Sequence, residues 1–168
     1  LRPNLSDLIG DLSTLPGIDD IALTTNGVLL AKYATELKAA GLSRITVSLD
    51  SLDPEVFAQM SGGFGGVEEV LAGIEAAQRA GLSPIKVNVV VQRGVNDHTV
   101  LPLIEHFRGT GVIVRLIEYM DVGNRNEWRA DLVVPSRDLA AAIHERWPIA
   151  PRERDYRGEV AEIGRAHV

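Results

Sequence analysis

Ile85-Lys86-Val87-Asn88-Val89-Val90-Val91 decides how the rest of the chain folds. Its run of β-branched residues reads as a strand. Successive strand residues point to opposite faces, so Ile85, Val87, Val89 and Val91 share one side while Lys86, Asn88 and Val90 share the other. A strand buried between two layers of helices is apolar throughout. This one has one face for helices and one that is polar. Working outward, the same alternation recurs: Ile45, Val47 and Leu49 oppose Thr46, Ser48 and Asp50, and Ile21 and Leu23 oppose Ala22, Thr24 and Asn26. In a fourth apolar segment, residues 112–119, neither parity of Val114, Arg115, Leu116, Ile117 and Glu118 is cleanly apolar.

Helical patterns separate these strands. A first helix carries Leu5, Leu8, Ile9 and Leu12 behind Asn4 or Ser6 as cap, and a second runs through Leu29, Tyr33, Leu37 and Ala40 to Gly41. Asp53-Pro54 opens a short helix, since proline suits the first helical position. Residues 67–80 form a longer helix stopped by Gly81. Asn96 or Asp97 caps one reaching about Arg108, and Pro135-Ser136 starts the last, ending near Trp147-Pro148. This βα repetition predicts an α/β fold with a parallel sheet and right-handed crossovers. With one polar strand face, it predicts a partial parallel (βα) barrel with a wet interior, rather than an open sheet. No linker divides it.

The 168 residues suffice for one domain with a real core. A content of 45% hydrophobic and 24% charged residues argues against disorder, and a net charge of −6 without a basic run argues against nucleic acid or anionic membranes as partners. No apolar stretch is long enough to span a bilayer and no signal sequence is evident, so the cytoplasm is the expected location. With no cysteine, the chain has no disulfide, thiolate metal site or cysteine nucleophile. The chain starts at Leu1 on the approach to a helix, where a βα protein expects a strand first, so it is expected to be truncated at both ends. Residues 162–168 read as the in-frame product of a sequencing adapter, leaving residues 1–161 as the barrel part.

Ligands of parallel βα folds sit beyond the carboxyl ends of the strands. Those ends read Thr24-Thr25-Asn26-Gly27, Ser48-Leu49-Asp50-Ser51, Asn88 to Gln92 and Glu118-Tyr119-Met120-Asp121, rich in hydroxyls, amides and carboxylates. Asn26-Gly27 is also an ordinary turn pair. Lys86, taken as mid-strand and inward, must meet an anion or change its protonation state to avoid a large desolvation cost. It could neutralise a phosphate or form a Schiff base; the plain alternative is a lysine at the strand's start reaching solvent. Arg115 could join it in an anion-binding wall or pair with Glu118 or Asp121. The segment Met120-Asp121-Val122-Gly123-Asn124-Arg125-Asn126 reads as an active-site loop or a set of turn formers. Gly62-Gly63-Phe64-Gly65-Gly66 lies between two helices and fails the context of a dinucleotide loop, so it reads as a turn. His98, His106 and His144 lack metal-ligand spacing, and Trp128 and Trp147 read as packing anchors.

Taken in order, Leu23-Thr24-Thr25-Asn26-Gly27, Val47-Ser48-Leu49-Asp50-Ser51, Lys86-Val87-Asn88-Val89-Val90, Gly94-Val95-Asn96-Asp97 and Arg115-Leu116-Ile117-Glu118-Tyr119-Met120-Asp121 resemble the GTP 3',8-cyclase family, the radical S-adenosylmethionine enzymes also called molybdenum cofactor biosynthesis protein A. The resemblance reaches to about Ala161. It implies a radical SAM partial barrel with a [4Fe-4S] cluster at each end of a central cavity. One cluster binds and reductively cleaves S-adenosylmethionine; the 5'-deoxyadenosyl radical takes hydrogen from C3' of GTP, and C3' attacks C8. The other helps to hold guanine. The product, (8S)-3',8-cyclo-7,8-dihydroguanosine 5'-triphosphate, begins molybdopterin cofactor biosynthesis. Ser48 and Met120 match positions that contact S-adenosylmethionine, and Thr24 and Lys86 match positions that contact GTP. Asn26, Asn88 and Arg115 fall at cavity-lining places. The partners implied are GTP, a second copy in a homodimer, and the next enzyme of the pathway as product acceptor.

The departures are as informative. The family's cluster cysteines, the Gly-Gly-Glu-Pro segment and an upstream GTP-binding arginine would all precede Leu1, and the second cysteine set would follow Ala161. No catalytic residue and no cluster ligand is therefore expected within this chain, and isolated it is expected to be inactive. The glycine-rich turn also differs from the usual family sequence. Two other readings stay open on the residues alone: a Schiff-base aldolase-type lyase using Lys86, and a non-catalytic nucleotide-binding module.

Overall fold

The computed structural model describes residues 4–120, 128–151 and 164–166. Four strands, β1 (Ala22–Thr25), β2 (Arg44–Ser48), β3 (Ile85–Val91) and β4 (Ile113–Glu118), form one sheet in the order β1-β2-β3-β4. Every pairing is parallel. Among the described residues β1 and β4 have no further neighbour, so the sheet is not closed, which is consistent with a partial barrel. Helices α1 (Leu5–Ser13), α2 (Leu30–Ala39), α3 (Pro54–Ser61), α4 (Val67–Arg79), α5 (Val100–Phe107) and α6 (Ser136–Arg146) complete the βα grammar. A short antiparallel pair, β5 (Ile149–Pro151) with β6 (Gly164–Ala166), lies apart from the main sheet. Three-residue strands carry too little periodicity to stand out in sequence, and the sequence reading placed none there.

The alternation read from sequence is the alternation of burial. Val47, Val87, Val89 and Val91 are 0% exposed, whereas Thr46, Lys86, Asn88 and Val90 are half-buried. The apolar face packs on Leu30, Ala34 and Leu37 of α2, Val70, Ile74 and Ala77 of α4, and Leu103 and Phe107 of α5. Each fully buried aliphatic side chain contributes roughly 1.5–3 kcal/mol. In β4 the structure resolves the ambiguous parity, because Val114 and Leu116 pack against this core and Arg115 and Ile117 alternate with them.

Two glycines let the layers approach. Gly27 has φ +82, and a Cβ there would lie 2.8 Å from Val47 Cγ1. A Cβ on Gly73 of α4 would lie 2.6 Å from the Gly27 carbonyl oxygen and 3.0 Å from Leu30 Cβ. The start of α2 is thus pressed onto α4 where neither chain has a side chain to spare.

Helix starts follow their local signals unevenly. Asp53 caps α3, its carboxylate accepting from Glu55 N at 2.9 Å and Val56 N at 3.1 Å, with Pro54 first in the helix. Asn4, a candidate cap for α1, makes no side-chain cap bond and adopts φ 59; the Ser6 hydroxyl donates instead to the Glu36 carboxylate on α2. Asn96 caps no helix either. A 3-10 turn, Asp97–Thr99, precedes α5, and the Asn96 side chain is turned inward. Trp147 packs as expected, 9% exposed and flanked by the guanidinium groups of Arg146 and Arg108 at 4.9 and 5.7 Å from the ring centroid. Trp128 stays 37% exposed and only donates its Nε1 to the Tyr119 carbonyl at 3.3 Å. His106 and His144, read from the sequence as surface or packing residues, are both exposed; His144 bonds the backbone of Ile149 and His106 meets Phe107 edge-on.

Candidate functional site

Parallel register brings the polar face into rows. Thr24 pairs with Thr46, and Thr46 with Lys86. One step toward the carboxyl ends, Ser48 pairs with Asn88 and Asn88 with Arg115. Successive residues on one strand face rise by ~6.6 Å, so the rows form two adjacent polar layers. Lys86 is the second residue of β3, which places it at the start of the strand rather than in its middle. Neither the Lys86 nor the Arg115 side chain has a hydrogen-bonded or ion-paired partner among the described residues. Glu118, a candidate partner for Arg115, alternates to the core-facing parity, where its Oε1 accepts from Ser136 N at 2.6 Å at the start of α6. That bond, and one with the Ser136 side chain, hold its carboxyl below the usual range.

Beside the upper row lies a cavity of about 180 Å³ lined by Asn26, Ser48, Asp50, Phe57, Ser61 and Phe64. Ser48 opens onto it at the end of β2. Asn26 faces it from the turn after β1, where Thr25 Oγ1 accepts from Gly27 N at 3.2 Å and Asn26 Oδ1 from Val28 N at 3.4 Å. Asn26-Gly27 is thus a turn, and Asn26 also lines this hollow. The glycine-rich segment is the turn between α3 and α4, as its position implied. It leaves Phe64 74% exposed at the mouth. A larger hollow of about 260 Å³ lies at the amino ends of β3 and β4, away from the strand ends where such folds bind ligands.

Asp50, Ser61 and Asn96 were not singled out in the sequence reading of this region, whereas Asn88 was. Asp50 is half-buried, and burial pushes its carboxyl above the usual range although its Oδ1 accepts from Val90 N at 2.8 Å. Asn88 Oδ1 and Ser61 Oγ are buried without a hydrogen-bond partner. Asn96 is 0% exposed; its Nδ2 donates to the carbonyls of Asp50 at 2.8 Å and Val90 at 2.9 Å, and its Oδ1 accepts from Gln92 N at 2.8 Å. An asparagine before a helix signals a cap locally, and only the path of the distant Asp50 reveals its other duty.

Met120, just past β4, is 56% exposed. Asp121, Gly123, Asn124, Arg125 and Asn126 of the candidate loop lie outside the described residues. The chain has no cysteine, and among the described residues no three His, Asp or Glu side chains gather to hold a metal. Iron–sulfur clusters therefore do not fit the residues present. No described helix is long and apolar enough to cross a membrane.

Comparison with known proteins places this geometry. The family model "Radical SAM superfamily" matches residues 1–107. A GTP 3',8-cyclase of Xanthomonas campestris pv. campestris (strain B100) is 57% identical over 162 residues, covering 96% of this chain and 48% of that protein. One from Acidothermus cellulolyticus (strain ATCC 43068 / DSM 8971 / 11B) is 52% identical over 161 residues, covering 96% and 44%. One from Staphylococcus epidermidis (strain ATCC 12228 / FDA PCI 1200) is 42% identical over 165 residues, covering 98% and 48%. The chain spans about half the length of these curated relatives. With the family model matched along most of its parallel βα framework, this chain belongs to the radical SAM superfamily.

Proposed function

We propose that this chain forms the nucleotide-holding wall of a GTP 3',8-cyclase, the activity that converts GTP to (8S)-3',8-cyclo-7,8-dihydroguanosine 5'-triphosphate at the start of molybdopterin cofactor biosynthesis. The observation that carries the reading is the pair of polar rows on one sheet face, in which two cations stand without an acidic partner among the described residues. The relatives named for that activity align along 96% of the chain and support it.

In this reading the lower row, Thr24 and Lys86, takes the GTP. The ammonium of Lys86 suits the triphosphate as a point charge on a flexible stem. Arg115 and Asn88 extend the wall, and the unfilled acceptor Asn88 Oδ1 offers a place for a ligand donor. Ser48 and Met120, with Asn26 beside them, take S-adenosylmethionine, which when bound supplies the one-electron chemistry of the family. The barrel's own task is to fix the nucleoside and exclude water. The [4Fe-4S] clusters and their cysteines belong to other parts of the whole enzyme. It acts in the cytoplasm, as a homodimer, and passes its product to the next enzyme of the pathway.

A segment exchange tests this. Residues 1–161 replace the matching segment of the Xanthomonas campestris relative, and the hybrid is assayed anaerobically for conversion of GTP with S-adenosylmethionine. Retained conversion, lost on Lys86→Ala, is the expected result. A folded, cluster-loaded hybrid that consumes no GTP while the unexchanged relative does would refute the reading.

A further inference from the structure

The backbone ladder between β2 and β3 stops early. Its last regular pair is Ser48 with Asn88, followed by one bond from Leu49 N to Asn88 O at 3.0 Å. Beyond that point the twist of parallel strands would carry the two chains apart. Side chains take over instead. The Asp50 carboxylate accepts from Val90 N, where a continued ladder would offer a carbonyl. Asn96 then bridges the freed carbonyls of Asp50 and Val90 with its two N–H groups, and receives Gln92 N on its oxygen.

The chemistry demanded at this spot is narrow. Two donors and one acceptor must come from one short side chain that is wholly buried. Asparagine meets that requirement with a single amide orientation. Aspartate supplies acceptors only and would set a carboxylate against two carbonyl oxygens. Serine supplies one donor, and leucine none. Both strand segments fixed by Asn96 lie two residues beyond Ser48 and Asn88, the upper polar row.

We propose that Asn96 is a positioning residue that sets the separation of β2 and β3 at the cavity mouth, and so the fit of a nucleoside ligand bridging Ser48 and Asn88. This rests on the nucleotide-wall reading above. It says more: the effect is local to the upper row. Lys86 and Thr24 sit one layer lower, inside the regular ladder, and their spacing does not depend on Asn96.

The test is calorimetric titration of this chain with two probes, S-adenosylhomocysteine for the upper row and inorganic tripolyphosphate for the lower. For Asn96→Asp, folding checked by circular dichroism, the expected result is about tenfold weaker binding of S-adenosylhomocysteine with tripolyphosphate affinity kept within about twofold. If that variant does not fold, Asn96→Ser, which keeps one donor, takes its place with the same expectation. Equal weakening of both probes, or no change in either, overturns the positioning role while leaving the nucleotide wall standing. Unsubstituted chain that is folded and binds neither probe overturns both.

Discussion

Asp50 and Glu118 are two carboxylates whose surroundings push them in opposite directions, and this makes them readable by pH. Burial raises Asp50, so the folded state holds its proton more tightly than the unfolded chain. Its contribution to stability is present below the unfolded pKa and is lost as pH rises through the folded one. Glu118 is lowered by its bonds to Ser136, so its contribution is present above the unfolded pKa and is lost as pH falls through the folded one. Asp50→Asn keeps an acceptor for Val90 N and removes the buried charge. Its melting temperature is therefore expected to gain on the unsubstituted chain as pH is raised from about 3 to about 7, measured by calorimetry. A gain that shrinks over that range would contradict the assignment. At this scale the sequence was partly legible. Thr24, Ser48, Lys86 and Asn88 were identifiable because strand parity is a local property. Asp50 and Asn96 were not, since their partners are 40 and 46 residues away. Lys86 was read as mid-strand, with a place at the strand's start as the alternative, and it is the second residue of β3, because parity tells the face and not the depth.

Among the elements, α3 and α4 show how local signals and packing divide the work. The Asp53-Pro54 start was readable as a cap, and the two bonds it accepts confirm the reason. Asp53→Ala is expected to cost about 1 kcal/mol in urea unfolding, the usual value of a lost N-cap. The Gly73 contact was not readable, since a glycine inside a helix looks like a mere weakness until the neighbour is known. Gly73→Ala raises helix propensity yet drives a methyl to 2.6 Å from the Gly27 oxygen, so a loss of about 1–3 kcal/mol is expected despite the better helix former. A stabilised variant would show that α2 and α4 are free to separate. Leu103→Ala on α5, at a residue 0% exposed, is expected to lose about 2–5 kcal/mol by the same unfolding measurement. The ambiguous parity of β4 was settled only by the structure, because an arginine and a glutamate stand on opposite faces and cancel the pattern.

At the scale of the whole molecule, the described residues form a four-stranded parallel sheet with a helix-packed core on one face and polar rows on the other. Its net charge of −6 makes the unpartnered Lys86 and Arg115 stand out as local attraction for an anion against a repelling background. Without cysteine, this chain is expected to develop no iron–sulfur absorbance on anaerobic reconstitution and to form no cyclised nucleotide. The role proposed for it is holding the nucleotide. The most direct test is calorimetric titration of the folded chain with GTP and with guanosine, before and after Lys86→Ala. GTP binding about tenfold weaker in the variant, with guanosine affinity unchanged, is the result this account expects. Equal GTP affinity in the two proteins, or a folded chain that does not bind GTP, would contradict it.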